Sequence, residues 1–246
     1  MTTPLPDLVE EGRRVTKAAR SAGVELALLG GVAVALCCPS AGRPPLAREY
    51  KDVDAVGRRS QRRPIEQLLT GLGYTGHTEF NALQETRLLF QDPLHERRLD
   101  VFLDRAELCH VIELGPRLAA ADETLAPADL LLLKLQVVET NRKDLQDATA
   151  LLTDHELTDD DRSGINLPYL TELVAADWGL WRTTTMVAER VADFARACEG
   201  FDGTAAVGRV RRLLDAFEAA PKSRGWRMRA RLGERVRWYQ LPEEGQ

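Results

Sequence analysis

The chain has 246 residues, 44% of them apolar and 29% charged, with 33 basic against 38 acidic side chains for a net charge of −5. This composition excludes collagenous, low-complexity and wholly disordered chains and is enough to bury a core. The longest uncharged run, Leu26 to Gly42, loses its apolar character at Pro39, and a bilayer span needs about 20 apolar residues.

In chain order, Leu8 to Ala22 reads as an amphipathic helix and Val24 to Leu29 as a short apolar strand. Gly30 and Gly31 break the strand, and Val32 to Cys38 resumes as an apolar helix. Pro39 to Arg48 holds three prolines and a glycine and reads as loop. Asp52 to Val56 alternates as a strand, Pro64 to Leu72 is a helix stopped by Gly73, and Arg87 to Phe90 and Arg98 to Leu103 are further strands. From Ala126 the signals are helical: Pro127 to Glu139, Lys143 to Leu152, Pro168 to Cys198 with a break expected at Gly179, and Ala205 to Ala219 closed by Pro221. The predicted organisation is α+β, with a mixed helix-and-strand domain over residues 1–125 and a helical domain over 126–246.

The N-terminus carries Asp7, Glu10, Glu11, Arg13 and Arg14 where a signal peptide needs an apolar stretch, so a cytoplasmic location is expected. Cys37, Cys38, Cys109 and Cys198 have no zinc spacing and are expected as buried thiols. The four histidines are scattered, and none is assigned a catalytic role. Charge is uneven: from Ala205 onward ten basic residues face five acidic ones, a net of +5 that leaves −10 for the preceding 204 residues.

Asp52-Val53-Asp54 is the sharpest chemical feature. Alternate strand residues share a face, so the two carboxylates point the same way about 7 Å apart. Like charges so placed call for a cation or basic partners, and Mg2+ is commonly held by a few carboxylates with substrate phosphates. The alternative is an exposed strand edge with two solvated acids. Asp100, on the face of its strand opposite Leu99 and Val101, can join the pair if the strands are neighbours. Three acids can hold two metal ions for in-line phosphoryl displacement. Asp104 shares the face of Asp100 but lies at the strand end, where a turn or cap is expected. Gly30-Gly31, between a strand and a helix start, allows a phosphate to approach the backbone.

Leu29-Gly30-Gly31, then Asp52-x-Asp54, then Asp100, resembles the nucleotidyltransferase (polymerase beta-like) superfamily. The segment Ala126 to Gln136 followed by Lys143-Asp144-Leu145-Gln146-Asp147 is similar to bacterial stand-alone members of the abortive-infection toxin type, and the resemblance spans roughly Val24 to Leu152. It implies a mixed sheet flanked by helices, with Asp52, Asp54 and Asp100 as ligands of two Mg2+ ions, or Mn2+ in their place. It further implies Asp100 as the base aligning the acceptor hydroxyl, Gly30 and Gly31 as the triphosphate cradle, and Lys134 near the nucleotide. Asp144, in a substrate-binding position, matches the acid that follows in those members. Gly31 stands where many members have serine, and the loop before Asp52 is longer than in the smallest ones.

Lys134 follows four leucines in a helix apolar nearly all round, and a buried ammonium needs an anionic partner. That partner is a nucleotide phosphate, or else Asp144 or Asp147 in a structural ion pair. Asp144 by itself also suits a helix N-terminus. The tail from Lys222 to Tyr239 interleaves Trp226, Trp238 and Tyr239 with seven basic residues. Such a segment can contact RNA phosphates and bases, or dock as an amphipathic helix on the acidic body.

The expected activity is metal-dependent transfer of a nucleoside monophosphate from an NTP to an acceptor hydroxyl, with release of pyrophosphate. The acceptor is tRNA or another RNA in a toxin-like protein with an antitoxin partner, or a small hydroxylated molecule as in antibiotic-modifying members. A silent nucleotide-binding module is the non-enzymatic alternative. A haloacid-type phosphatase would place its Asp-x-Asp after an apolar strand, whereas Arg48-Glu49-Tyr50-Lys51 precede it here. A glycosyltransferase would need a longer nucleotide-binding half before the motif than 51 residues allow.

Overall fold

The structure is a computed structural model that describes residues 3–241. Two compact units make up the chain: Met1–Cys37 with Glu49–Ala106 and Ile112–Leu125, and Cys38–Arg48 with Glu107–Val111 and Ala126–Gln246.

The first unit is built on a five-stranded mixed sheet. Its elements are α1 (Leu8–Ser21), β1 (Leu26–Leu29), α2 (Gly30–Cys37), β2 (Asp52–Gly57), α3 (Arg62–Gly71), β3 (Thr75–Gly76), α4 (Thr78–Leu83), β4 (Arg87–Asp92) and β5 (Arg97–Leu103). The strand order is β1-β2-β5-β4-β3. Only β2 and β5 run parallel; the other neighbours are antiparallel. Helix α1 starts at Asp7, whose carboxylate accepts the N–H groups of Val9 and Glu10, both at 2.9 Å. It buries Val15 and Ala19. The outer edge of β1 is covered: Leu28 N–H donates to the Glu123 carbonyl and Leu125 N–H to the Leu28 carbonyl, each at 2.9 Å.

One face of this sheet is core. Val53 and Ala55 on β2, Leu99 and Val101 on β5, and Leu88 and Phe90 on β4 are buried there. Strand alternation therefore sends Asp52, Asp54 and Asp100 to the other face.

The second unit is helical: α5 (Pro127–Leu135), α6 (Arg142–Asp154), α7 (Leu167–Ala176), α8 (Trp178–Ala197), α9 (Thr204–Ala219) and α10 (Arg224–Leu232), with a two-residue parallel pair at Leu157–Thr158 and Ile165–Asn166. Leu130, Leu151, Val187, Leu213 and Phe217 are buried in it. Helix α5 stops four residues short of the expected Glu139. Gln136 caps it and is fully buried, its Oε1 accepting the His110 N–H at 2.8 Å, while Val138 N–H turns to Cys109 Sγ at 3.4 Å.

The break between α7 and α8 falls at Asp177 rather than Gly179. The Asp177 carboxylate accepts the N–H groups of Gly179 and Leu180 at 2.7 and 3.1 Å, so a cap ends one helix and begins the next. Part of the segment expected as loop, Pro39–Gly42, forms a 3-10 turn. No disulfide joins the four cysteines; Cys38 and Cys109 are buried, while Cys37 and Cys198 are half-buried instead of fully so. No helix among the described residues is long and apolar enough to cross a membrane.

Candidate functional site

The parallel register of β2 and β5 sets Asp54 opposite Asp100 and Asp52 opposite Arg98. Neighbouring strands lie about 4.8 Å apart, so Asp54 and Asp100 are adjacent on one face, with Asp52 one step along. Burial grades across the three: Asp52 is exposed, Asp54 half-buried and Asp100 buried at 5%.

Gly30 completes the site. The antiparallel register pairs Leu29 with Asp54, and the chain then turns sharply into α2. Gly30 has φ +71, and a Cβ built there would lie 2.3 Å from Asp54 Oδ2. Only glycine permits both the left-handed backbone and this approach. Gly31 follows as the second residue of α2. The N–H groups of a first helical turn have no partner within the helix, and an anion is favoured at such a start.

Arg87 joins the candidate site without having been singled out in the sequence. It lies on β4, and its Nε donates to Asp100 Oδ1 at 2.8 Å, with Nη2 in an ion pair 2.7 Å from the same oxygen. Its guanidinium also stands over Phe102 and Phe80, 5.3 and 5.9 Å from the ring centres. The hydrogen bond and the ion pair both fall on Oδ1, so Arg87 leaves Oδ2 of Asp100 available. Burial pushes the Asp100 carboxyl above its ordinary value, with Arg87 pulling the other way and Asp52 adding to the rise.

Asp104 does not join the carboxylates. It has φ 62 at the end of β5, and its carbonyl accepts the N–H groups of Leu114 and Gly115 at 2.7 and 2.6 Å. It is a turn residue.

The oxygen-only donor set, on a face where three acids would otherwise repel, suits a hard divalent cation such as Mg2+ or Mn2+. The shaved approach of Gly30 and the available Oδ2 of Asp100 fit the same cation.

Lys134 and Asp144 lie in the helical unit and meet each other there. Lys134 Nζ is 3.1 Å from Asp144 Oδ1 and 2.9 Å from Asp147 Oδ2. Asp147 also receives both Arg48 Nε and Nη2 at 2.8 Å. Burial favours the neutral amine of Lys134, but Asp147 and Asp144 outweigh it and hold its pKa above the ordinary value. Asp144 also closes a capping box with Asn141 at the start of α6. These contacts match the structural ion-pair alternative for Lys134.

The tail aromatics are occupied as well. Trp226 packs edge-on to Trp181 at 5.2 Å, and Trp238 packs on Trp178 at 5.9 Å while donating its Nε1–H to Thr183 at 3.0 Å. Arg229 stands over Trp178 at 4.6 Å.

The chain matches no protein-family model and no curated protein sequence. Among solved structures it is similar to the antibiotic-resistance factor ANT(2'')-Ia, at 12% identity over 76% of this chain and 95% of that one, TM-score 0.42. A crystal structure of ANT(2'')-Ia in complex with adenylyl-2''-tobramycin matches at 15% identity over 59% and 87%, TM-score 0.41. An antigenic nucleotidyltransferase-like protein from Paracoccidioides brasiliensis matches at 15% identity over 92% and 98%, TM-score 0.41. At this level of similarity the functional reading rests on the residues of the chain itself.

Proposed function

We propose that the protein is a divalent-metal-dependent nucleotidyltransferase that moves a nucleoside monophosphate from an NTP to an acceptor hydroxyl. The observation that carries this reading is the placement of Asp52, Asp54 and Asp100 on one sheet face, beside a glycine turn that opens a helix.

Asp52, Asp54 and the free oxygen of Asp100 would hold Mg2+ or Mn2+, which when bound supplies positive charge for the triphosphate. Gly30 and Gly31 bring backbone N–H groups to the phosphates. Arg87 fixes the Asp100 carboxylate by one oxygen, leaving the other to face the acceptor. The acceptor oxygen forms a bond to the α-phosphorus, and its proton passes to Asp100 Oδ2. The bond from the α-phosphorus to the bridging oxygen breaks, and pyrophosphate leaves.

The acceptor best supported is a small hydroxylated molecule. The RNA reading leaned on free aromatics in the basic tail, and Trp226 and Trp238 are packed against Trp181 and Trp178 instead. Lys134 and Asp144 act as a paired element of the helical unit, and any nucleotide contact by Lys134 would be made from that pair.

The test is incubation of the protein with α-labelled NTPs, Mg2+ and a cell extract. Label in the small-molecule fraction supports the whole reading. Label in the RNA fraction supports nucleotidyl transfer to RNA, the toxin-like alternative, in which an antitoxin partner would be sought. Nucleotide binding with no pyrophosphate release from any fraction would reduce the protein to a binding module.

A further inference from the structure

Helix α10 carries a surface that nothing in the described chain covers. Its inner side holds Trp226 and Arg229 against α8. On the outer side Met228 is 69% exposed and Leu232 51%, one helical turn apart, and Val236 just beyond the helix is 50% exposed. Arg224, Arg227, Arg231 and Arg235 are exposed around this stripe. The nearby acid, Glu234, is bound to Arg182 at 2.6 Å. The result is an apolar ridge flanked by arginines.

The same helical unit contains the reciprocal shape. Between α7 and α9 runs an apolar groove of about 670 Å³, walled by Leu167, Pro168, Ala216 and Pro221. Two exposed acids, Asp159 and Glu172, stand at it. Thr171 also lines it, with an Oγ1 that has no hydrogen-bond partner. Lys222 reaches the groove, but its ammonium is turned to the Phe217 carbonyl and the Trp226 ring.

We infer that the α10 ridge of one copy seats in the α7–α9 groove of a second copy, forming a dimer through the helical unit. Charge complementarity selects this occupant: arginines flank the ridge and carboxylates stand at the groove. The aliphatic stripe suits an apolar groove and offers nothing for phosphates or bases to use. Ridge and groove sit on the same chain, joined through Pro221 and Ser223, so a two-fold axis can satisfy both contacts at once and close the assembly. The inference stands apart from the nucleotidyl-transfer reading and uses none of its residues.

Sedimentation velocity over a concentration series tests it. The expected result for the natural chain is a species of twice 27.4 kDa whose dissociation constant rises with salt. Met228→Glu with Leu232→Glu changes only exposed positions and should weaken the dimer at least about tenfold. A chain with Arg224→Glu and Arg227→Glu should be monomeric alone, as should one with Asp159→Lys and Glu172→Lys. Mixed, the two should associate, because the unchanged ridge meets the unchanged groove and the two reversed surfaces are again opposite in charge. A natural chain that remains monomeric throughout the series overturns the inference. So does a dimer indifferent to these substitutions, or a monomer that instead binds tRNA through the same stripe.

Discussion

Gly30 and Asp54 touch so closely that a single methyl group does not fit between them: a Cβ on Gly30 would lie 2.3 Å from Asp54 Oδ2. The contact joins the proposed phosphate-binding turn to the proposed metal ligand. Gly30→Ala should therefore fold but carry strain of about 1–2 kcal/mol from its positive φ. It should also push the Asp54 carboxylate aside, and a displacement near 1 Å at a reacting site costs roughly 10²-fold in rate. Circular dichroism with a transfer assay checks both parts. An active, fully stable Gly30→Ala variant would show that the turn is structural only.

Arg87 is expected to act through Asp100. Arg87→Met frees the carboxylate that its hydrogen bond and ion pair now orient, and kcat should fall about 10²-fold. The KM for NTP should move much less, because Arg87 contacts Asp100 in place of phosphate. Arg87→Lys keeps the charge with a different geometry and should restore part of the rate. Equal losses in kcat for both variants with a large rise in KM would assign Arg87 to nucleotide binding instead.

Asp52 and Asp54 face the same way on β2, and Asp100 lies across from Asp54. Removing one negative charge from such a cluster relieves repulsion. Asp52→Asn should leave the melting temperature unchanged or raise it while transfer is lost. Thermal denaturation beside the activity assay separates this from simple unfolding, and a lower melting temperature with retained transfer would contradict it.

The buried network of Lys134, Asp147 and Arg48 is a stability element. Asp147→Asn removes the carboxylate that half-buried Arg48 and Lys134 share, leaving Lys134 with Asp144, and should cost about 3 kcal/mol. The pH dependence follows from the shifts. Burial alone would raise the pKa of Asp147, but Arg48 and Lys134 outweigh it and hold the value below the ordinary 3.8. Its stabilisation is therefore present above 3.8 and is lost as pH falls through the lower folded-state value. Lys134 is shifted above 10.5, so its share is complete below that pH and is lost as pH rises through the higher folded-state value. Denaturant midpoints across the acid range check this: the natural chain should lose stability more steeply there than Asp147→Asn, and equal slopes would contradict the assignment.

Much of this was legible before the fold. The alternation of Asp52, Val53 and Asp54 fixes a shared face without any knowledge of neighbours, and a glycine pair between an apolar strand and helix announces a tight turn. Two things were less legible. The meeting of Asp54 and Asp100 was expected only on the condition that their strands were neighbours, a pairing separated by 46 positions between those residues and set by the whole sheet. Arg87 reads as an ordinary strand arginine. Its role appears only when the β4–β5 register sets Arg87 opposite Phe102 and Leu89 opposite Asp100. Helix ends failed for a similar reason: the stop at Leu135 follows from the bond between Gln136 and His110, two residues far apart in sequence. The Asp177 cap, by contrast, carried a readable signal, since an aspartate before a helical run favours an N-terminus more than Gly179 favours a break.

Binding of Mn2+, followed by its electron paramagnetic resonance signal with a non-hydrolysable NTP analogue, reaches the heart of the matter without needing the acceptor. The natural chain should bind the ion, and Asp54→Asn, folded to the same extent, should bind it at least about tenfold more weakly. Equal Mn2+ affinity in the two proteins would mean that the carboxylate face holds no catalytic cation.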